Sequence, residues 1–402
     1  MTVVFRQRGD HGFDHGTPAP AASVDRPPAP AHRSSAVPAV ILHDVPEAAQ
    51  ADWTALIADH AVSIYQTWGF NAAWWASHAD AGQPLVAVAR HGERPVLVLP
   101  LVVRDGVARL PGGRHLNLGL PLVDAGLAPE VRQSVMDAVM AALRKRGISL
   151  VILHNVVPEA LGAVPALPSG LHIRTDWFFE GTLLDDYSRL LRERRGKKTK
   201  GKLKRKFNRL NEAEGFAIRR ITDRTEGEAV VDVLIAQKLA RFSRRHIRTG
   251  FDDPRFRDFC LRLLETGVLQ LDVMFVKDRP LAIYGGGEAG GRYSAFFSSI
   301  DENSPLLKYG PGEVLLAHIV ADSCARGLKV LDLGVGEMAY KSAWCNRRLP
   351  VMTVLVPLNL RGWILALPRA AWLRLRPHVK RLVMRHSALR RLAEQLLARG
   401  IG

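Results

Sequence analysis

The sequence predicts an α/β protein of two halves, each a mixed central sheet flanked by helices. Three observations carry that prediction. One order of elements occurs twice, roughly 185 residues apart: paired apolar runs around a tight turn, a glycine-rich loop, an amphipathic helix ended by glycine, and a further apolar strand. A chain of 402 residues with 47% hydrophobic content is long enough for two cores. A run of Lys and Arg within 190–215 stands between the two occurrences and reads as their joint.

Residues 1–37, with PAPAA and RPPAPA runs, lack apolar periodicity and read as a disordered tail. The first half is expected over 38–175. It opens with a short helix near Pro46–Ala61, followed by Tyr65, Trp68, Phe70 and the pair Trp74-Trp75. The paired tryptophans read as core, although neighbours on one element cannot both face the same way. Pro84-LVAVAR, a His-Gly turn and PVLVLPLVV form a hairpin. The loop Leu110-PGGRHLNLGLPLVD leads into a helix near Pro129–Arg146; Gly147 ends it, and Ile148-SLVIL follows as a strand.

The second half is expected over 176–360, entered through a basic helix spanning 190–215. In that helix Leu203, Phe207 and Leu210 fall at spacings of four and three, giving one narrow apolar stripe. Val268-LQLDVMFV and Pro280-LAIYGGGE flank Lys277-Asp-Arg as a second hairpin, and Arg292-YSAFFSSI is a further strand. Tyr309-GPG then opens a helix over Glu313–Ala325, Gly327 caps it, and Lys329-VLDLGV returns as a strand.

The net charge is +17, and its placement matters more than its size. Residues 192–209 carry a net +10 and residues 361–402 a net +9, leaving −2 for everything else. The first patch is either a solvated inter-domain helix or a face for phosphates of nucleic acid, of anionic lipid or of a nucleotide. Phe207 is the only aromatic residue among those charges, which argues against base-by-base reading of single strands. The second patch, 361–402, is a basic amphipathic stretch with tryptophan at two places. It suits an anionic membrane or partner surface, or docking onto its own domain.

Other classes are excluded. The three cysteines, Cys260, Cys324 and Cys345, are widely spaced and odd in number, so they form neither a disulfide framework nor a zinc pattern. They read as buried small hydrophobes. His154, His246 and His318 show no ligand spacing, and no metal is expected. The N-terminus lacks the apolar region of a signal peptide. The most apolar stretch, Leu358–Trp372, is broken by Arg361, Pro368 and Arg369, short of the roughly 18 apolar residues that a spanning helix needs. The expectation is a cytoplasmic protein, with peripheral contact to the inner membrane through its basic segment.

Ser304-PLLKYGPGEVLLAHIV carries the most chemistry. The first amides of a helix have no intrahelical partners, and the helix dipole places partial positive charge there. Gly310 and Gly312 would let a phosphate approach that backbone without a Cβ in the way. Without a second signal, Gly-Pro-Gly before a helix is only a turn.

Several segments supply that signal. Tyr65-QTWGFNAAWW, Lys204-RKFNRLNEAEG, Tyr284-GGGEAGGRYSAFFSSID, Ser304-PLLKYGPGEVLLAHIV and Asp332-LGVGEMAYKSAW resemble the acetyltransferase family associated with cellulose biosynthesis (CelD/BcsL). That family is a GNAT branch related to the tandem-domain Fem peptidyltransferases. The resemblance implies two GNAT-like halves, an acyl-CoA donor (acetyl-CoA in the simplest case), an amine-bearing acceptor, and a place in exopolysaccharide or envelope synthesis. It implies that Lys308, Tyr309, Gly310 and Gly312 lie along the pyrophosphate. Leu307 stands where the family carries Gln or Arg, and Lys308 follows one place later. It further implies that Asp332, Glu337, Tyr340, Lys341 and Trp344 line the acceptor pocket. In the expected chemistry Glu337 accepts the amine proton, through water, and Tyr340 donates to the departing thiolate.

Local alternatives stand beside these roles. Asp332 can simply bond nearby backbone amides, Glu337 and Lys341 have the spacing of a surface i,i+4 pair, and Trp344 can be core. Two other functions remain open: a Fem-like transferase using aminoacyl-tRNA, and a non-catalytic GNAT-like module of a membrane-associated polysaccharide complex.

Overall fold

Apolar runs bounded by glycines and two-residue turns become strands, and the strands assemble into one sheet. The computed structural model describes residues 38–58, 62–160, 167–243 and 250–385. The 1–37 tail, His246 and the 386–402 part of the basic C-terminal segment lie outside those residues.

The chain begins with β1 (Ala39–His43), a 3-10 turn at Pro46–Ala49 and α1 (Gln50–Ala58). Helix α2 (Trp68–Ser77) follows, capped by the Thr67 side chain. The expected hairpin is β2 (Gln83–His91) and β3 (Arg94–Arg104), continued by β4 (Val107–Arg109) and the two-residue β5 (Leu122–Val123). Helix α3 (Pro129–Lys145) leads through Gly147, at φ +91°, into β6 (Leu150–Val156). Trp74 and Trp75 are both packed, on two sides of α2. Trp74 stacks on His78, while Trp75 meets Trp53 and Trp68 edge-on and donates its indole N–H to the Leu101 carbonyl.

After β7 (Leu171–Thr182) the basic segment forms two helices rather than one, α4 (Tyr187–Arg195) and α5 (Lys197–Asn211). The break is Gly196, whose φ of +76° turns the chain between them. Leu203 and Leu210 are buried and Phe207 packs edge-on against Phe216, so the apolar stripe of α5 faces the protein. Then come β8 (Ala217–Ile221), α6 (Arg224–Ser243), α7 (Pro254–Glu265), β9 (Gln270–Val276), β10 (Arg279–Ala289) and β11 (Arg292–Ile300). The β9–β10 turn sits on Lys277 and Asp278, both at positive φ (51° and 57°), as a twist-matched two-residue hairpin requires. A 3-10 turn (Pro305–Tyr309) precedes α8 (Pro311–Ala325). The last described elements are β12 (Val330–Val335), α9 (Ala339–Trp344), β13 (Arg347–Pro357) and α10 (Leu360–Arg385).

The mixed sheets of the two expected halves are joined edge to edge: among the described residues thirteen strands form one sheet, in the order β1-β2-β3-β4-β6-β13-β7-β12-β11-β10-β9-β8, with β5 on β3. The fusion is an exchange. Strand β7 follows β6 in sequence but pairs with β12, and β13 follows β12 but pairs with β6; the two exchanged strands pair with each other. The expected division at 175/176 falls inside β7. Kept apart, each half would present a long apolar edge strand, and exchange removes both edges. Among the described residues only β4–β6 and β11–β12 are parallel pairs. One continuous core holds α2, α3, α6 and α7 against the sheet, and a second holds α4, α5 and α8 against the β12 to β9 region.

Candidate functional site

Strands β11 and β12 form a fork. They pair for three residues only (Arg292 with Val330, Tyr293 with Leu331, Ser294 with Asp332) and then part. Gly334 at φ +72° and Gly336 at φ +100° steer β12 away, while its other edge continues along β7 across a register shift between Asp332 and Gly334. A parted parallel pair leaves backbone groups unpaired in the middle of a sheet, where they must find other partners.

They find them in the first half of the chain. Asn117, in the loop after β4, donates its Nδ2–H to the Tyr65 hydroxyl at 2.9 Å and to the Ala295 carbonyl of β11 at 3.3 Å. The Tyr65 hydroxyl donates to the same carbonyl at 3.4 Å. A Cβ on Gly334 would lie 3.0 Å from the Asn117 amide, so glycine is what lets the loop enter the fork. On the β12 side, Lys341 of α9 donates from Nζ to the Val335 carbonyl at 2.7 Å and to the Gly334 carbonyl at 3.3 Å.

Asp332 lies in the fork, 0% exposed. Its Oδ1 accepts the Gly334 N–H at 2.7 Å, and its Oδ2 faces the Arg292 guanidinium with the Ser294 hydroxyl beside it. Burial is the main cause of its raised pKa, about 6; the Arg292 guanidinium, 3.9 Å from Oδ2, opposes the shift, and the Glu180 carboxylate adds to it. Glu180 on β7 is itself held by Arg292 at 2.8 Å and by Arg347. The Tyr65 phenol is pushed well above its ordinary value, by burial first and by the Asp332 charge second. Burial lowers the Lys341 pKa, against the pull of Asp332.

The entrance to α8 is built differently from a row of open amides. Gly310 takes the left-handed conformation (φ 62°, ψ 57°) that turns the 3-10 segment into the helix. The Glu313 and Val314 amides both reach the Gly310 carbonyl, at 3.0 and 3.1 Å. The Glu313 carboxylate, in the first turn, is clamped by Arg195 of α4 and by Lys206 of α5, the latter at 2.5 Å. Burial raises the Glu313 pKa, but the two cations outweigh it and hold the carboxyl below its usual value. The Lys206 ammonium also lies 3.1 Å from the Cβ position of Gly310. Gly312 is buried against Ile300, and Lys308 sits over the Tyr309 ring at 5.2 Å.

The other expected site residues are dispersed. Glu337 is 62% exposed and pairs with Arg348 at 2.8 Å, outside the fork, because Gly336 swings the chain outward before α9 begins. Its partner is therefore Arg348, not Lys341. Tyr340 is half-buried on α9, with its phenol pKa raised by burial. Trp344, 2% exposed, packs in the second core beneath the Arg195 guanidinium, as a core residue rather than a pocket wall. Tyr65 lay in a segment that sequence reading singled out, but it was not assigned to the site. Arg292 and Asn117 likewise lie in segments quoted above without a site role, and Glu180 lies in none of them.

A cavity of about 440 Å³ lies where the two halves meet, walled by Trp74, His78, Gly112, His115, Asp253 and Arg255. His115 is pushed down to about 4, chiefly by burial and then by Arg114 and His78. Phe296 lies 6.3 Å from both the His115 and Tyr65 rings, between the cavity wall and the fork. Cys260, Cys324 and Cys345 are buried free thiols. Among the described residues no group of three or more His, Cys, Asp or Glu side chains could hold a metal.

A mixed sheet that holds two short parallel pairs, β4–β6 joined through α3 and β11–β12 joined through α8, is the tandem GNAT fold of acyltransferases. Residues 197–342, from α5 into α9, match the acetyltransferase (GNAT) domain family. Solved structures agree on the fold. FemX superposes with a TM-score of 0.57 at 11% identity, covering 81% of this chain and 99% of its own. L-PGS from Bacillus licheniformis gives 0.51 at 13% identity, covering 84% and 97%. The C-terminal domain of a putative lysylphosphatidylglycerol synthetase from Agrobacterium fabrum gives 0.50 at 12% identity, covering 81% and 96%. No curated protein matches the chain in sequence.

Proposed function

We propose that the protein transfers an acyl group from acyl-CoA, acetyl-CoA in the simplest case, to an amine at the β11–β12 fork. The observation that carries this reading is a fully buried carboxyl, Asp332, at the last paired residue before a parallel strand pair parts. In the proposed reaction the amine nitrogen bonds to the thioester carbonyl carbon and the carbon–sulfur bond breaks. The amine proton goes to Asp332, whose raised pKa suits it to a base near neutral pH. Tyr340, kept protonated by burial, donates to the departing thiolate. The base role passes to Asp332 because Glu337 points outside the fork. Lys341 positions the fork by holding the Gly334 and Val335 carbonyls. Lys206, Lys308 and Tyr309, with the Gly310–Gly312 turn, form the phosphate end of this proposal. A thioester entering the fork requires Asn117 and Tyr65 to exchange the Ala295 carbonyl for the substrate.

The amine would come through the cavity between the halves, past Phe296. Sugar amines of an envelope or exopolysaccharide pathway, the acceptors suggested by the cellulose-biosynthesis resemblance, belong in the test panel. Acetyl-CoA should raise the melting temperature, and free CoA should appear on mixing with amino sugars, amines or amino acids. No stabilisation and no CoA release across the panel would sink the reading.

A second donor is favoured by one observation. The outer face of α4–α5 exposes Arg192, Lys198, Lys202, Lys204 and Arg205, a dense row for a phosphate backbone. An aminoacyl-tRNA would deliver its ester to the same fork. Salt-sensitive tRNA binding, together with aminoacyl transfer in place of CoA release, would select that donor.

A further inference from the structure

The last helix presents two unlike faces. Its inner face is made of small residues: Gly362, Ala366 and Ala370 are buried against the region where β6, β7 and β13 run side by side. The approach is close enough that a Cβ on Gly362 would lie 1.9 Å from the Ser149 carbonyl oxygen.

The opposite face carries Leu360, Ile364, Leu367, Ala371 and Leu375, at steps of four, three, four and four that keep them on one side of a helix. Ile364, Leu367 and Leu375 are 64%, 55% and 56% exposed. Trp363 and Trp372 stand on the two borders of this stripe and are also exposed. A row of large apolar side chains on the outside marks a surface that meets something.

Charge decides what it meets. Residues 361–402 contain ten Lys and Arg and one acid, Glu394, and Arg361, Arg374 and Arg376 are exposed beside the stripe. A second copy of this face would bring those arginines against one another. Aliphatic residues in the centre, tryptophan at the borders and cations around them are what the interface of an anionic bilayer accommodates. Among the described residues no helix is long and apolar enough to cross a membrane, which leaves lying on the surface. We infer that α10 seats the protein on an anionic bilayer surface, with the Leu360–Leu375 stripe at the acyl boundary and the arginines among the headgroups.

The test is cosedimentation of the full chain with phosphatidylcholine vesicles, with and without about 30% phosphatidylglycerol. The expected result is binding to the anionic vesicles at least about tenfold tighter than to neutral ones, weakening with salt. The double variant Ile364→Glu/Leu367→Glu should lose about tenfold or more of that binding with an unchanged melting temperature, since both side chains are already exposed. Arg374→Glu/Arg376→Glu should weaken it as well, which guards against a folding defect in the first variant. Equal binding to both vesicle types, or a double-Glu variant that binds as the parent does, would overturn the inference. So would a parent that ignores vesicles and forms a dimer that the same variant dissociates.

Discussion

Asn117 Nδ2 lies 3.3 Å from the carbonyl oxygen of Ala295, a contact across 178 residues of sequence that closes the β11–β12 fork with a side chain from the first half. The candidate reaction centre therefore belongs to neither half alone. Strand β11 supplies the carbonyl, β12 the carboxyl, α9 the ammonium, and the first half supplies Tyr65 and Asn117.

Asn117→Ala removes the donor shared by Ala295 and Tyr65. Losing a buried hydrogen bond of this kind costs about 1–2 kcal/mol. A melting temperature lowered by a few degrees should accompany a turnover rate reduced by about tenfold, since the variant loosens the groups that frame the thioester. Calorimetry and steady-state kinetics on the same preparation check both; a normal rate would remove the fork from the chemistry.

Asp332→Asn tests the buried carboxyl through pH. The folded protein keeps the Asp332 proton up to pH about 6, against the ordinary aspartate value of 3.8. Asp332 therefore favours the folded state below about pH 4, and that advantage is lost as pH rises through 6. Above it the ionised carboxyl costs on the order of 1–3 kcal/mol, which asparagine avoids. The stability of the variant relative to the parent should rise between pH 4.5 and 7.5 in urea titrations, while acyl transfer collapses. An unchanged difference would mean an ordinary carboxyl.

Lys206→Ala examines the entrance to α8. Lys206 clamps Glu313 and lies beside Gly310, so its removal should weaken acyl-CoA binding about five- to tenfold and leave turnover at saturation nearly unchanged. Isothermal titration reads the affinity directly. An unaltered affinity would place the phosphates elsewhere.

Gly362→Ala forces a methyl group to within 1.9 Å of the Ser149 carbonyl oxygen. Helix α10 must lift or its neighbours must shift, at a cost of about 1–3 kcal/mol. Limited proteolysis should cut near the start of α10 faster than in the parent, and an unchanged digestion pattern would show that the contact can relax.

The local record in the sequence was good where short-range physics decides. Apolar runs bounded by turn residues over Pro84–Val103 and Val268–Val276 make strands, and Leu203, Phe207 and Leu210 point α5 inward because their spacing leaves one apolar side. Gly147, Gly310 and Gly327 end or start helices because each takes a positive φ that other residues avoid. By sequence alone the basic segment reads as one helix, because glycine is also tolerated inside helices; the positive φ of Gly196 makes it a break.

What the sequence determined by itself, then, was the two-fold succession of elements, the glycine turn before α8 and the location of the charge. The tertiary structure alone decided that β7 and β13 exchange partners, that Glu337 faces solvent beside Arg348, and that Tyr65 and Asn117 meet Ala295 within the fork. Periodicity and turn chemistry act over a few residues and leave a mark in any short window. Pairing between distant segments depends on which edges and cavities remain once every element has packed, and no window of the chain contains that information.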